Sequence, residues 1–278
     1  MTAAGLWADG DAYERWIGRW SRPVGVKFLA WLGEPDGRRW LDLGSGTGAL
    51  TETILATAAP ASVVGVEPSP SFVTHARARV LDPRASFVEG AASAIPLGSG
   101  SIDIAVAGLV LNFVPDLAAG LAELRRVVAP GGTIAGYVWD YADRMEIIRR
   151  FFDAAIELDP AAVAADEGLR FQICAPGPLR AAFEDAGLQE VEVRAIEVPT
   201  IFTSFDDYWT PFLSGTAPAP RYAMGLSEGE RRGLRERLRA TLPTEPDGSI
   251  HLVARAWAVR ATTSGPANRP IPASDPAP

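Results

Sequence analysis

An α/β fold, with a mostly parallel sheet, helices on both faces and an antiparallel pair of strands at one edge, is what this 278-residue sequence predicts. Three observations carry the prediction. Short apolar runs alternate with helical stretches between residues 38 and 140, the pattern of βαβ units. The first run ends in a glycine bend, "WLDLGSGTGALT" at 40–51, where a strand passes into a helix. Two longer strand-like runs, 189–201 and 249–261, are joined by a helical excursion, which suggests an antiparallel pair.

The elements follow in order. Residues 11–32 read as one or two amphipathic helices, broken near Pro23. Strand one covers Arg38–Leu43, and "GALTETILATAA" is the helix after the glycines. "ASVVGVE" (61–67) is a short strand ending in Glu67, "SPSFVTHARARV" a helix, and "RASFVEG" (84–90) the third strand. "SIDIAVAGLVL" (101–111) is apolar throughout, as a strand buried on both faces must be. "LAAGLAELRRVVA" carries an apolar helical stripe stopped by "PGG" at 130–132, and "TIAGYVWD" (133–140) is the fifth strand. Then "MEIIRRFFDAAIELD" is a helix, followed by an irregular stretch to Pro178 and the helix "LRAAFEDAGL". Residues 202–248 hold several aromatics and two short helices before the last strand.

Composition narrows the function classes. At 47% hydrophobic the chain can bury the core of one sizeable domain. A net charge of −8 opposes nucleic-acid backbones, and the best basic cluster, "ERRGLRERLR" at 230–239, alternates Arg with Glu as a solvated helix face does. No apolar run is long enough to span a bilayer, and "MTAAGLWADGDAYERW" lacks the basic start and apolar core of a secretion signal. Cys174 is the single cysteine, so no intrachain disulfide can form, and a cytoplasmic protein is expected. The expected organisation is one domain over 1–262, with a helical cover (1–35), a core (38–140) and cap insertions within 141–248, followed by a loose Pro/Ser/Ala-rich tail at 263–278.

In open α/β sheets the ligand sits at the carboxyl ends of the strands, which is where the bend at 44–48 lies. The spacing is G-x-G-x-G, not the dinucleotide G-x-G-x-x-G, and no Lys-Ser or Lys-Thr follows as in a P-loop. Asp42 against the bend would repel a pyrophosphate and suits a cationic group instead. Glu67, ending the next strand, can accept two hydrogen bonds from a ribose diol. Together these ask for a nucleoside with a positively charged amino-acid arm, and S-adenosylmethionine is such a molecule.

On these residues the sequence resembles the class I S-adenosylmethionine-dependent methyltransferases, in the small-molecule branch of the type 11 methyltransferase domain. "LDLGSGTG", "VVGVEPSPSFV", "FVEGAASAIPLGSGSIDIAVAGLVLNFVPD" and "LAELRRVVAPGGTIAGYVWD" resemble its successive blocks, in order, over about 38–140. The resemblance implies a Rossmann-like seven-stranded sheet with its last strand antiparallel. It implies that Gly44, Ser45 and Gly46 line the methionine arm, Asp42 helps hold its ammonium, and Glu67 holds the ribose. It further places Pro68, Ala91 and Ala92 about the adenine and the Ala107 carbonyl near the ammonium. Where the family often has an acid, this chain has Ala91, so an acidic grip on the adenine amino group is missing or comes from elsewhere. Tyr13 and Arg19 fall where the family's leading helix often folds over the cofactor; packing or a surface ion pair is the other reading of both.

For the acceptor, the rim after strands four and five offers Asn112, Trp139, Asp140 and Tyr141. Asp140, Asn112 and Tyr141 are the catalytic candidates, although Asp140 could equally cap a helix and Asn112 the following turn. "FTSFDDYWTPFLSG" (202–215), with Phe205, Tyr208, Trp209 and Phe212, reads as a lid over an apolar acceptor, against the simpler reading of a satellite hydrophobic cluster. His75 reads as a solvated helix position and Asp103 as a structural acid remote from the ligand. No metal site is expected. The expected activity is methyl transfer to a small, partly apolar or aromatic metabolite at oxygen, with S-adenosylhomocysteine as product, by a monomer or homodimer acting on neither nucleic acid nor membrane. The alternative is a cofactor-binding protein without transfer, a regulator or a sulfonium-assisted cyclase. "LVLNFVPD" lacks the Asn/Asp-Pro-Pro-aromatic signature of amino-group DNA methylation.

Overall fold

The structure is a computed structural model that describes residues 18–215 and 217–264. Seven strands form one sheet: β1 (Arg39–Leu43), β2 (Ser62–Glu67), β3 (Ala85–Glu89), β4 (Ile102–Gly108), β5 (Val128–Trp139), β6 (Gln189–Phe202) and β7 (Ile250–Thr262), in the order β3-β2-β1-β4-β5-β7-β6. Strands β1 to β5 are mutually parallel, while β7 runs antiparallel to both β5 and β6. The sequence reading placed the long antiparallel pair correctly; the pairing adds that β7 inserts between β5 and β6. Pro199 lies in β6, the edge strand, where a missing backbone donor costs least.

Helix α1 (Arg19–Leu32) is unbroken, in contrast to the expected kink at Pro23. Pro23 lies inside the described helix, where it removes a single backbone donor from the ladder. The helix ends at Gly33, whose φ of 62° forms a left-handed cap with its N–H bonded to the Leu29 carbonyl. Phe28 of α1 packs on Tyr137 of β5, ring centres 4.7 Å apart. Helices α2 (Ala49–Thr57) and α3 (Pro70–Arg79) follow β1 and β2, and α4 (Leu117–Val127) leads into β5. β5 starts earlier than "PGG" suggested, because a register shift between Ile102 and Ile104 absorbs the proline and glycines.

Beyond β5 come α5 (Glu146–Leu158), a 3₁₀ turn at Pro160–Ala165, the single-turn α6 (Glu167–Arg170), a second 3₁₀ turn at Gln172–Cys174 and α7 (Pro176–Asp185). Between β6 and β7 lie α8 (Phe205–Trp209), a 3₁₀ turn at Thr210–Leu213, α9 (Pro218–Gly225) and α10 (Glu228–Thr241). This excursion holds more helix than the two short pieces expected. α10 is fixed by a capping box in which Ser227 and Glu230 satisfy each other's backbone N–H groups, and it buries only Leu234 and Leu238. At the opposite pole from the strand ends, Asp103 accepts from the Arg39 backbone and guanidinium at 2.6–3.0 Å, the structural role expected of it. Thr263, assigned to the tail by sequence, is buried and bonded to Gly132 and Ala129; residues 265–278 lie outside the described residues. No described helix is long and apolar enough to cross a membrane.

Candidate functional site

At the carboxyl end of β1 the chain reverses through Gly44–Gly48. The Gly44 N–H donates to the Val66 carbonyl at 2.7 Å, tying the bend to β2. Gly44 has φ 70°, and a Cβ on it would stand 2.5 Å from Val110 Cγ2, so both backbone angle and space require glycine. Val110 follows β4, and the closeness of the two loops forms a hollow between them. Glu67 clamps its far side: Oε2 accepts from the Gly46 N–H at 3.1 Å and Oε1 from the Ser69 N–H at 3.0 Å.

Asp42 is 1% exposed and accepts a hydrogen bond from Thr51 Oγ1 at 2.7 Å. Burial pushes its carboxyl up to about 6, the Thr51 bonds working against that and the nearby Glu67 charge adding to it. Burial also raises the Glu67 carboxyl, against the hydrogen bonds from Ser69 and Gly46. Two buried acids on neighbouring strands, neither ion-paired among the described residues, make a site complementary to a cation and to hydroxyl donors.

Both acids line one cavity of about 380 Å³. The structure also brings Gly44, Ser45, Gly46, Pro68, Ala91 and Ala92 to this wall, together with Trp139 and Tyr141. The same wall carries an apolar and aromatic set, Leu109, Val110, Phe113, Tyr137, Trp139 and Tyr141.

Other expected residues lie elsewhere. Ala107 is buried beside Gly136 in the sheet, and the wall at that height is its neighbour Gly108. Arg19 is turned to Asp207 at 3.0 Å, with its guanidinium 4.5 Å from the Trp20 ring and 4.7 Å from the Phe202 ring, and does not reach the cavity. Asp140 is not on the wall; it is buried against Arg255, which donates from Nε at 2.7 Å. Asn112 sits in the turn Leu111–Phe113 off the wall, with Nδ2 buried and unbonded. Tyr13 lies outside the described residues.

The aromatic stretch after β6 is also a correction. Tyr208, Trp209 and Phe212 do not line the cavity; they are neither the expected lid nor the satellite cluster of the simpler reading, but part of the main hydrophobic core. Phe212 stacks on Phe151 at 4.4 Å, Trp209 stacks on Phe212 at 6.0 Å, and the Tyr208 hydroxyl donates to the Ile147 carbonyl at 3.0 Å. The apolar face of α5, with Ile147, Ile148, Phe151 and Phe152 buried, supplies the partners that a lid would lack.

The wall residues missed from sequence include Ser21, Arg22 and Gly25 of α1, Phe72 of α3, Phe113 and Tyr137. A signal existed for Tyr137: side chains two apart on a strand share a face, and Trp139 had been placed at the site.

Residues 41–136 match the family model described as a methyltransferase domain. An uncharacterized methyltransferase of Mycobacterium tuberculosis is 37% identical over 132 residues, covering 48% of this chain and 50% of that one. A demethylmenaquinone methyltransferase of Roseiflexus is 33% identical over 107 residues, covering 38% of this chain and 45% of that one. The chain thus spans about half the length of the curated relatives it matches. Among solved structures, phosphoethanolamine N-methyltransferase 2 of Haemonchus contortus, in complex with S-adenosyl-L-methionine, superposes with a TM-score of 0.55 at 16% identity, over 92% of this chain and 56% of that one, a likeness of fold. The matched residues, 41–136, contain the glycine bend and both acids, and the strand order agrees with the likeness of fold.

Proposed function

We propose that this chain transfers a methyl group from S-adenosylmethionine to a small, partly apolar or aromatic metabolite, at oxygen. The observation that carries the reading is the shared hollow: Asp42 and Glu67 line one cavity with the glycine bend, and an aromatic set shares its wall.

The residues fit the cofactor. Each Glu67 oxygen accepts one backbone N–H and keeps a lone pair for a ribose hydroxyl. Ser45 Oγ is buried with no partner, and Gly46, at φ 51°, has open space where a Cβ would stand. Asp42 would hold the ammonium, the Gly44–Gly46 backbone the methionine arm, Glu67 the ribose, and Pro68, Ala91 and Ala92 the adenine side. When bound, S-adenosylmethionine supplies a methyl group on a sulfonium already activated for departure.

The chain's own work is then placement. Holding two reactants in line contributes roughly 7–11 kcal/mol. Phe113, Tyr137, Trp139 and Tyr141 exclude water from the reacting end and present flat apolar surface to the acceptor. Asp42 and Glu67 are the carboxylates on the described wall, which carries no imidazole or lysine. An acceptor whose proton leaves readily to water, such as a phenol or enol hydroxyl, suits that wall.

Calorimetry with S-adenosylhomocysteine tests the site: one molecule binds per chain, and Glu67→Ala weakens binding at least tenfold. A panel of phenols and amines, assayed for S-adenosylhomocysteine release, tests the acceptor atom. A folded chain that binds neither form of the cofactor defeats the reading; turnover with amines alone defeats the oxygen assignment.

A further inference from the structure

The segment Asp166–Cys174, which looked irregular in sequence, packs behind the aromatic wall of the cavity. Phe171 stands ring to ring with Phe113 at 5.3 Å and with Tyr141 at 5.8 Å, and both of those residues are on the cavity wall. Gly168 presses on the backbone below: a Cβ there would lie 2.9 Å from the Tyr141 carbonyl oxygen. Asp166 caps α6 by accepting from the Gly168 N–H at 2.9 Å and pairs with Arg149 at 2.8 Å. The segment itself is one four-residue helix and one three-residue turn, too short to be stable apart from its packing.

Beneath it, Glu167 is 3% exposed, and its Oε2 is buried with no hydrogen-bond partner. The charged and titratable groups around it are Asp166 and Arg170 on its own helix, Cys174 on the next turn and, beyond Cys174, Asp140 at the end of β5. Arg149 of α5 and Arg255 of β7 are committed to Asp166 and Asp140. Arg170 is exposed, with its guanidinium 5.4 Å from the Phe171 ring. Glu167 is therefore a buried acid without a dedicated cation, and burial pushes it up to about 8.

None of the segment's residues lines the cavity, and we propose that Asp166–Cys174 is a gate behind the acceptor wall, a movable backing held by Phe171 against Phe113 and Tyr141 and released by ionisation of Glu167. The proposal rests on reading that wall as the acceptor site. In the closed form the carboxyl is held above its usual 4.5. Its support for closure is therefore complete below that value and lost as pH rises through about 8. Across that window the open fraction grows by about tenfold per pH unit and then levels off.

Cys174 reports the motion, because it is the single cysteine and is buried within the gate. The experiment is the rate of iodoacetamide modification of the full chain at pH 6, 7, 8 and 9, for the wild type and Glu167→Gln. The thiol's own ionisation, on which the Glu167 charge also acts, is read for each variant from its urea-unfolded chain and divided out before the ratio of the two rates is taken. The ratio is expected to rise about tenfold per pH unit from 6 to 8 and to flatten above; a ratio independent of pH overturns the proposal. Phe171→Ala is expected to speed modification at least tenfold at pH 6, and an unchanged rate removes Phe171 as the closing contact. Amide exchange of 166–174 in the wild type, corrected for intrinsic rates and referred to α5, needs no variant to fold. Its protection falls over the same window, and flat protection overturns the gate. None of these readouts uses the cofactor, so a chain with the pH-dependent gate that fails to bind S-adenosylhomocysteine refutes the proposed function separately.

Discussion

Asp42 is buried at a cost that only a ligand relieves. Its folded value of about 6 lies above the ordinary 3.8, so its contribution to stability is complete below 3.8 and is lost as pH rises through 6. At pH 7 the free chain carries that deficit, at most about 3 kcal/mol. Asp42→Asn keeps an acceptor for Thr51 and removes the charge. It should raise stability by about 1–3 kcal/mol at pH 7 and not at pH 4, measured by urea unfolding, while abolishing S-adenosylhomocysteine binding. In the wild type, binding followed by calorimetry should weaken as pH falls from 7 to 5 and the carboxylate is protonated. Gly44 offers a second test at this scale. Gly44→Ala meets both a φ of 70° and the Val110 side chain, and should cost about 2–4 kcal/mol in chemical denaturation. Adding Val110→Ala should return the part due to the clash and leave the part due to the backbone angle.

Among the elements, the aromatic stretch after β6 separates a lid from an anchor. Tyr208→Phe loses the hydrogen bond to the Ile147 carbonyl and should cost about 1–2 kcal/mol of stability without changing S-adenosylhomocysteine affinity. A lid would show the reverse, so calorimetry and thermal unfolding of the one variant decide between them. Sequence could not separate the two readings, because both ask for apolar aromatics; what settles the matter is the facing surface of α5, a long-range pairing no local pattern displays. The strands of 38–140 were legible because each announces itself locally, through an apolar run and a terminal acid or glycine. Glu67 and Asp42 were legible because strand ends in a parallel sheet converge by construction. Ala107 was displaced by one residue to Gly108, the ordinary uncertainty of a strand end, and Phe171 was invisible because its turn has no periodicity.

For the whole molecule, the last strand closes the fold next to the cavity. β7 threads between β5 and β6, and so brings Arg255 to Asp140 across the chain. The pair is largely buried, with Arg255 also reaching Asp143 and standing 4.8 Å over the Trp257 ring. Asp140 directly precedes Tyr141, so this ion pair fixes the backbone from which the aromatic wall of the cavity projects. The carboxylate at the rim, read from sequence as a candidate base or helix cap, is thereby held off the cavity wall, and we propose that it positions that wall instead of moving a proton. Removing Arg255 leaves Asp140 buried and unpaired, which costs about 3–5 kcal/mol, whereas removing both charges costs far less. Arg255→Met should therefore lower stability strongly, and Asp140→Asn in the same chain should restore most of it. If Asp140 worked on the proton instead, the double variant would recover stability and still lose turnover beyond its effect on acceptor KM. Recovery of both, with kcat near wild type, is the outcome expected of a residue that holds Tyr141 and its wall in place.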